Sequence, residues 1–178
     1  MITVPETELF DNETQSFRTV PKKELRLEHS LVSISKWESK WKKPFLGKDP
    51  MTYEQTADYV RCMTITQNVD PLTYQCLTID NIEQVKAYIA DPMTATWFTK
   101  KPQGKKSDSA ITSEILYWQM IALEIPMDCQ TWHLNRLLTL IRICSEKNQP
   151  GKKMSRRDVL NRNRSLNAAR KARLGTHG

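Results

Sequence analysis

The stretch Ile111–Cys144, ITSEILYWQMIALEIPMDCQTWHLNRLLTLIRIC, is the longest apolar and strongly patterned segment of the chain, and it leaves the fold little choice. It predicts two helices broken at Pro126. The first runs from about Ser113 to Ile125 and carries Ile115, Leu116, Trp118, Met120, Ile121, Ala122, Leu123 and Ile125. So little polar face predicts burial on most sides. Pro126 disfavours helical geometry at Ile125 and removes a backbone donor. Asp128 is then placed to cap a second helix, because its carboxylate can accept from orphan first-turn amides. There Leu134, Leu137, Leu138 and Ile141 follow the i, i+3, i+4, i+7 rule, with Asn135, Thr139, Arg142 and Glu146 on the opposite stripe. A short break between two apolar helices predicts an antiparallel hairpin, and this hairpin is the expected core, with Trp118 and Trp132 inside it.

A chain of 178 residues can bury a real core. Glu114, Gln119 and Glu124 interrupt the best membrane-span candidate, which needs about eighteen apolar residues, so no membrane segment is expected. The start MITVPETELFDNE is acidic and lacks a charged-then-apolar signal, which predicts no export. The four cysteines, Cys62, Cys76, Cys129 and Cys144, form no CxxC pair and are most simply reduced thiols of a cytoplasmic protein. Charge is uneven. The whole chain carries +7 and residues 152–178 carry +8, which leaves −1 for residues 1–151. Electrostatic arguments about partners therefore attach to the tail, whose basic residues include Arg156, Arg157, Arg162, Arg164, Arg170, Lys171 and Arg173.

Along the chain, residues 1 to about 20 read as irregular around Pro5, Pro21 and the polar run DNETQS. Glu24–Ile34 alternates in part, which predicts two short strands. In SKWESKWKK (35–43), Trp37 and Trp41 lie four apart and share one face of a short helix ended before Pro44. The next helix starts at Asp49-Pro50, or at Thr52 through the pair Thr52 and Gln55, with Tyr53, Ala57, Val60 and Met63 as its apolar side. Asp70-Pro71 predicts a short helix to about Leu77, and Asp80 caps a third that carries Ile82, Val85 and Ile89 and closes at Asp91-Pro92. Residues 99–109 read as an exposed loop, with Trp97 beside it, and residues 148–152 as a second breaker. The tail permits a helix but has too few large apolar residues to fold by itself. The expected architecture is mainly α: a helical bundle around the central hairpin, with a small N-terminal β element and a basic C-terminal tail. Its parts are an N-terminal arm (1–30), a helical domain (31–151) and a mobile basic tail (152–178).

Enzyme signatures are missing. There is no GxxxxGK[ST], GxGxxG or GxSxG, and only five glycines, so no catalysis and no cofactor are expected. Cys129 and His133 lie four apart and can be read as two metal ligands or as a buried thiol beside an imidazole; without a second pair, no metal is expected. Nor does Cys129 or Cys144 have an identifiable partner that would activate a thiolate. Trp37 and Trp41, flanked by Lys36, Lys40, Lys42 and Lys43, either close the core from outside or form an aromatic and basic protein-docking surface. The tail is a solvated extension, a contact to nucleic-acid phosphates, or a dock for an acidic protein. It has no aromatic residue from Lys152 onward, so base stacking is unavailable and nucleic-acid contact is at best to the backbone.

Three pieces, ISKWESKWKKPFL (34–46), SEILYWQMIALEIPMDCQTWHLNRLLTLIRICSEKN (113–148) and NRSLNAARKARLGTHG (163–178), resemble tail assembly chaperones of long-tailed bacteriophages with non-contractile tails. The order of the pieces matches, and the resemblance runs from about residue 30 to the end. It implies a helical protein without catalytic residues that binds the tape measure protein, keeps it soluble and helps tail tube protein polymerise around it. The resemblance also implies action in the host cytoplasm, absence from the finished virion, and the short form of a product that often has a frameshifted longer one. Self-association is compatible with it. A nucleic-acid-associated accessory protein gripping phosphate with its tail, or a structural tail component of the virion, are the alternatives.

Overall fold

The computed structural model describes residues 1–11, 15–98, 110–148 and 156–175. The expected loop at 99–109, the breaker at 149–152 and Lys152 and Lys153 of the tail lie outside them. The fold is mainly helical with a small β element at the N-terminus. Its chain contacts divide it into two units, residues 1–145 and residues 146–178.

The N-terminal residues are more ordered than their composition predicts. Four strands, β1 (Ile2–Val4), β2 (Thr7–Asp11), β3 (Ser16–Val20) and β4 (Lys23–Leu25), pair antiparallel as β1 with β4 and β2 with β3. The two sheets share one register, since Ile2↔Leu25 and Thr7↔Val20 pair residue numbers of equal sum, so the four strands run as two arms interrupted at one level between the sheets. That level holds Pro5 and Pro21, which cannot donate to a ladder. The prolines that made this region read as irregular interrupt a ribbon without ending it. Ile2, Val4, Val20 and Leu25 point into the core, and Asn81 Nδ2 donates to the Thr3 carbonyl at 3.0 Å.

Helix α1 (Leu31–Trp41) is the hub: α2 (Tyr53–Met63), α4 (Ser113–Ala122) and the 3₁₀ turn Met127–Thr131 all pack on it. The strand expected across Val32 and Ile34 is therefore corrected to helix. Its signal was the alternation of apolar residues with Ser33 and Ser35. What decides instead is a capping box, Ser30 with Ser33, and the helical spacing of the buried Leu31, Ile34 and Trp37. Lys42 closes α1 in the left-handed region, at φ 54°, before Pro44.

Thr52 and Gln55 cap α2 reciprocally, and Asp70 caps the 3₁₀ turn Pro71–Tyr74 with Pro71 in its first turn. Helix α3 (Ile79–Ala90) is capped by Thr78, which forms a box with Asn81 that Asp80 cannot replace. Helix α4 ends at Ala122, short of Ile125. Glu124 adopts φ 54° and the Ile125 amide reaches back to the Met120 carbonyl at 2.9 Å, a left-handed stop made without glycine.

The second helix of the expected hairpin, α5 (Leu134–Asn148), begins six residues after Asp128, so Asp128 is not its cap. Its first amides find distant and local partners instead. Leu134 N donates to the His29 carbonyl at 2.9 Å and Asn135 N to His133 Nδ1 at 3.3 Å. Helix α4 packs on α1 rather than along α5, so the hairpin is part of the core but not its centre. The second unit contains α6 (Arg156–Leu174), none of whose residues is buried. Among the described residues no helix is long and apolar enough to cross a membrane.

A candidate docking surface

Glu38 fixes where α4 lies. This buried carboxylate accepts from Phe45 N through Oε1 and from Ser113 N through Oε2, both at 2.7 Å. It ties the end of α1, the turn after it and the first turn of α4 into one joint. From that joint Ser113, Leu116 and Met120, at i, i+3 and i+7, go into the core, with Leu116 1% and Met120 0% exposed.

The opposite side of the helix is also apolar, and it faces outward. Ile111 and Ile115 are 43% and 37% exposed, and Trp118 and Ile121 are 66% and 67% exposed. Met127, one turn further along the chain, is exposed too. Ile115, Trp118 and Ile121 follow one another at i, i+3 and i+6 on α4, a spacing that suits a partner helix, while Ile111 precedes the N-cap Thr112. The expected core position of Trp118 is corrected by this geometry; Trp132 is half-buried, with Arg136 stacked 4.1 Å over its ring. Charged groups between Ala110 and Asn135 are Glu114, Glu124 and Asp128, all acidic and all exposed.

The docking cluster expected around Trp37 divides. Trp37 is 2% exposed, and its indole N–H donates to the Gln55 carbonyl at 2.9 Å, so it is core and faces no partner. Trp41 is half-buried and donates to Asp58 Oδ2 at 2.8 Å. Lys40 Nζ and Arg61 Nε meet Asp58 Oδ1 at 2.7 and 2.8 Å. Burial alone would raise the Asp58 pKa, but hydrogen bonds from Lys40, Arg61 and Trp41 outweigh it and hold the carboxyl below the usual range. Lys40 is thus committed to a buried carboxylate, while Lys42 and Lys43 are exposed at the C-terminal end of α1. Beside this network an open cleft of about 500 Å³ runs between Tyr53, Ala57 and Tyr74, with Arg61 and Lys40 on its wall. Among its described lining residues no nucleophile is paired with a base.

His29 and His133 also have structural partners. His29, expected in a strand, lies just ahead of α1, is 1% exposed, and its Nδ1 bonds the Tyr59 hydroxyl at 2.5 Å. Its ring stands 5.0 Å from that of His133, whose Nε2 pairs with the Tyr88 carbonyl at 3.0 Å. Burial, and secondarily His133, lower the His29 pKa to about 4. Burial raises the Tyr59 hydroxyl well above its ordinary value. Cys129 sits in the 3₁₀ turn and His133 in the extended segment after it, so they do not share a helix face. Among the described residues no group of three potential ligands is placed to hold a metal ion.

All seven basic residues expected to matter in the described part of the tail, Arg156, Arg157, Arg162, Arg164, Arg170, Lys171 and Arg173, lie on α6 and are exposed. Two features escaped the sequence. One is the joint at Glu38, whose partners lie 7 and 75 residues away. The other is the outward side of α4, for which the signal was present: a helix without a polar face in a chain of this size. No family model, no curated protein and no solved structure matches this chain.

Proposed function

We propose that this protein is a non-enzymatic assembly chaperone of a phage tail, which holds an apolar helical segment of the tape measure protein until tail tube protein replaces it. The observation that carries the proposal is the outward side of α4, where Ile115, Trp118 and Ile121 form an exposed apolar row on a helix anchored from behind. Large exposed apolar patches on globular proteins mark interaction sites, and a row at helical spacing suits another helix. The resemblance of residues 34–46, 113–148 and 163–178 to tail assembly chaperones supplies the identity of the client. On this proposal the chain works in the host cytoplasm, needs no nucleotide, and is released by competition from the tube subunits.

Co-expression with the long helical open reading frame next to its gene is the test. The wild-type chain should keep that product soluble. The double variant Trp118→Ser/Ile121→Ser should remain folded, because neither side chain is in the core, yet leave the client in the pellet. A client insoluble beside the wild-type chain, or equally soluble beside the variant, refutes the proposal. Detection of the chain in purified virions would instead favour a structural tail component.

A further inference from the structure

The seven basic side chains of α6 are not spread evenly around it. Asn161, Ser165, Ala168 and Ala172 recur at i, i+4, i+7 and i+11 and form one narrow side of short residues. Beside it on one flank run Arg157, Arg164 and Lys171, each two helical turns from the next; on the other flank stand Arg162 and Arg173, three turns apart. Arg156 and Arg170 lie on the far side of the helix. Every residue of α6 is exposed, and its one carboxylate, Asp158, sits in the first turn at the end of the short side.

We infer that α6 is a sequence-independent binding helix for duplex DNA, seated in the major groove with its short side inward and its two basic flanks on the two phosphate walls. The major groove of B-form DNA, about 12 Å wide, admits one α-helix, and small inward side chains let the helix axis approach the floor. Cations on both flanks then meet phosphates of both strands. The row from Arg157 to Lys171 is about 21 Å long at 1.5 Å per residue, which matches about six base pairs. Four of the five flanking cations are arginine, whose planar fork takes phosphate oxygens in pairs. Duplex RNA is a poor fit, because its major groove is too deep and narrow for side chains to read, let alone for a helix. Single strands offer bases for stacking, which a helix without aromatic residues cannot use. The short side has few groups long enough to reach base edges, so the helix does not read sequence.

The binding helix belongs to the second unit and is independent of the apolar side of α4, so either site can fail without the other.

Fluorescence anisotropy with the full chain and a labelled duplex of about 20 base pairs tests it. Five phosphate contacts predict a log–log salt slope of about −4.5, or a loss of roughly 100-fold between about 50 and 150 mM salt. Arg157→Gln/Arg164→Gln should make the slope shallower by about 2 and weaken binding at least tenfold at about 100 mM salt. Arg156→Gln/Arg170→Gln removes the same charge from the far side and should weaken binding at most about threefold, the loss left to screened long-range attraction. Ala168→Leu/Ala172→Leu keeps every charge but fills the short side, and should weaken binding about tenfold. Because no α6 residue is buried, these variants keep the first unit folded, which circular dichroism verifies. Absence of duplex binding at about 50 mM salt overturns the inference, as does equal loss from the flank and far-side pairs. So does binding of poly-glutamate or of a single-stranded oligonucleotide as tight as that of the duplex; the former would make α6 a dock for an acidic protein.

Discussion

Replacing Trp37 and Trp118 by alanine, one at a time, separates the tryptophan that holds the fold from the one left for a partner. The Trp37 ring is enclosed by Trp41 at 6.3 Å and by Phe45 at 5.5 Å, edge-on, and its N–H satisfies the Gln55 carbonyl inside α2. Trp37→Ala therefore leaves a cavity, worth about 3–5 kcal/mol, and strips the Gln55 carbonyl of a bond, adding about 1 kcal/mol. Out of a total of about 5–15 kcal/mol, that removes a quarter or more of the stability, and in a unit of this size it lowers the melting midpoint by over 10 °C. Trp37→Phe keeps the aromatic packing but loses the hydrogen bond, and should cost about 2 kcal/mol. Trp118 is two-thirds exposed and has no core partner to strand, so Trp118→Ala should cost less than about 1 kcal/mol. Urea unfolding followed by far-ultraviolet circular dichroism, which does not depend on tryptophan emission, gives all three values. A Trp37→Ala protein within about 1 kcal/mol of wild type, or Trp118→Ala as costly as Trp37→Ala, would refute the assignment of core to α1 and of free surface to α4.

Two further outcomes follow from the buried polar groups. His29 has a folded pKa of about 4, below its unfolded value of 6.5, so the unfolded chain binds the proton first; stability should fall by about 3 kcal/mol as pH drops from 6.5 to 4 and level off below that. Unfolding curves across that range check it, and His29→Gln should flatten the profile. Glu38→Gln exchanges one of two acceptor oxygens for a donor that faces a backbone N–H, which should cost about 2 kcal/mol. Hydrogen exchange should then accelerate in the first turn of α4 while α2 stays protected, and unchanged protection there would remove Glu38 from its role as the joint.

How far the fold could be read depended on whether its causes were local. The box Thr52–Gln55, the cap Asp70 with Pro71 and the stop at Asp91 all act within four residues, and each was legible. Trp37 and Trp41 were correctly placed on a helix, but its beginning was missed, because Val32 and Ile34 between serines imitate a strand while Ser30 and Ser33 cap a helix. The N-terminal ribbon was hidden for the opposite reason. Its prolines lie at one level of the ladder, and only the pairing of residue 2 with residue 25 shows that they face the same gap. The start of α5 depends on the His29 carbonyl and the position of α4 on Glu38, partners that no periodicity brings together.

Trp118 is exposed where the apolar pattern of its helix predicts burial. A helix apolar on all sides is covered on all sides in its working state. The sequence showed the first half of that statement, and the simplest completion put the cover inside the chain. Helix α1 covers the side of Ser113, Leu116 and Met120, Tyr117 is half-buried against the core, and Ile115, Trp118 and Ile121 stay exposed. With about 200 Å² in a tryptophan side chain and 25 cal/mol per Å², the exposed two-thirds of Trp118 alone represents about 3 kcal/mol of transfer free energy that folding does not use. The adjoining Ile115 and Ile121 add to it on the same helix. A partner helix can claim that energy without rearranging the fold, since Glu38 already holds the α4 backbone from behind. A second copy of the chain could use the same row, but two copies would bring Glu114, Glu124 and Asp128 of each toward one another, and like charges oppose that pairing. A client helix flanked by lysine or arginine meets the same apolar row with the charges matched, which is why the acidic surround favours a different chain over a second copy.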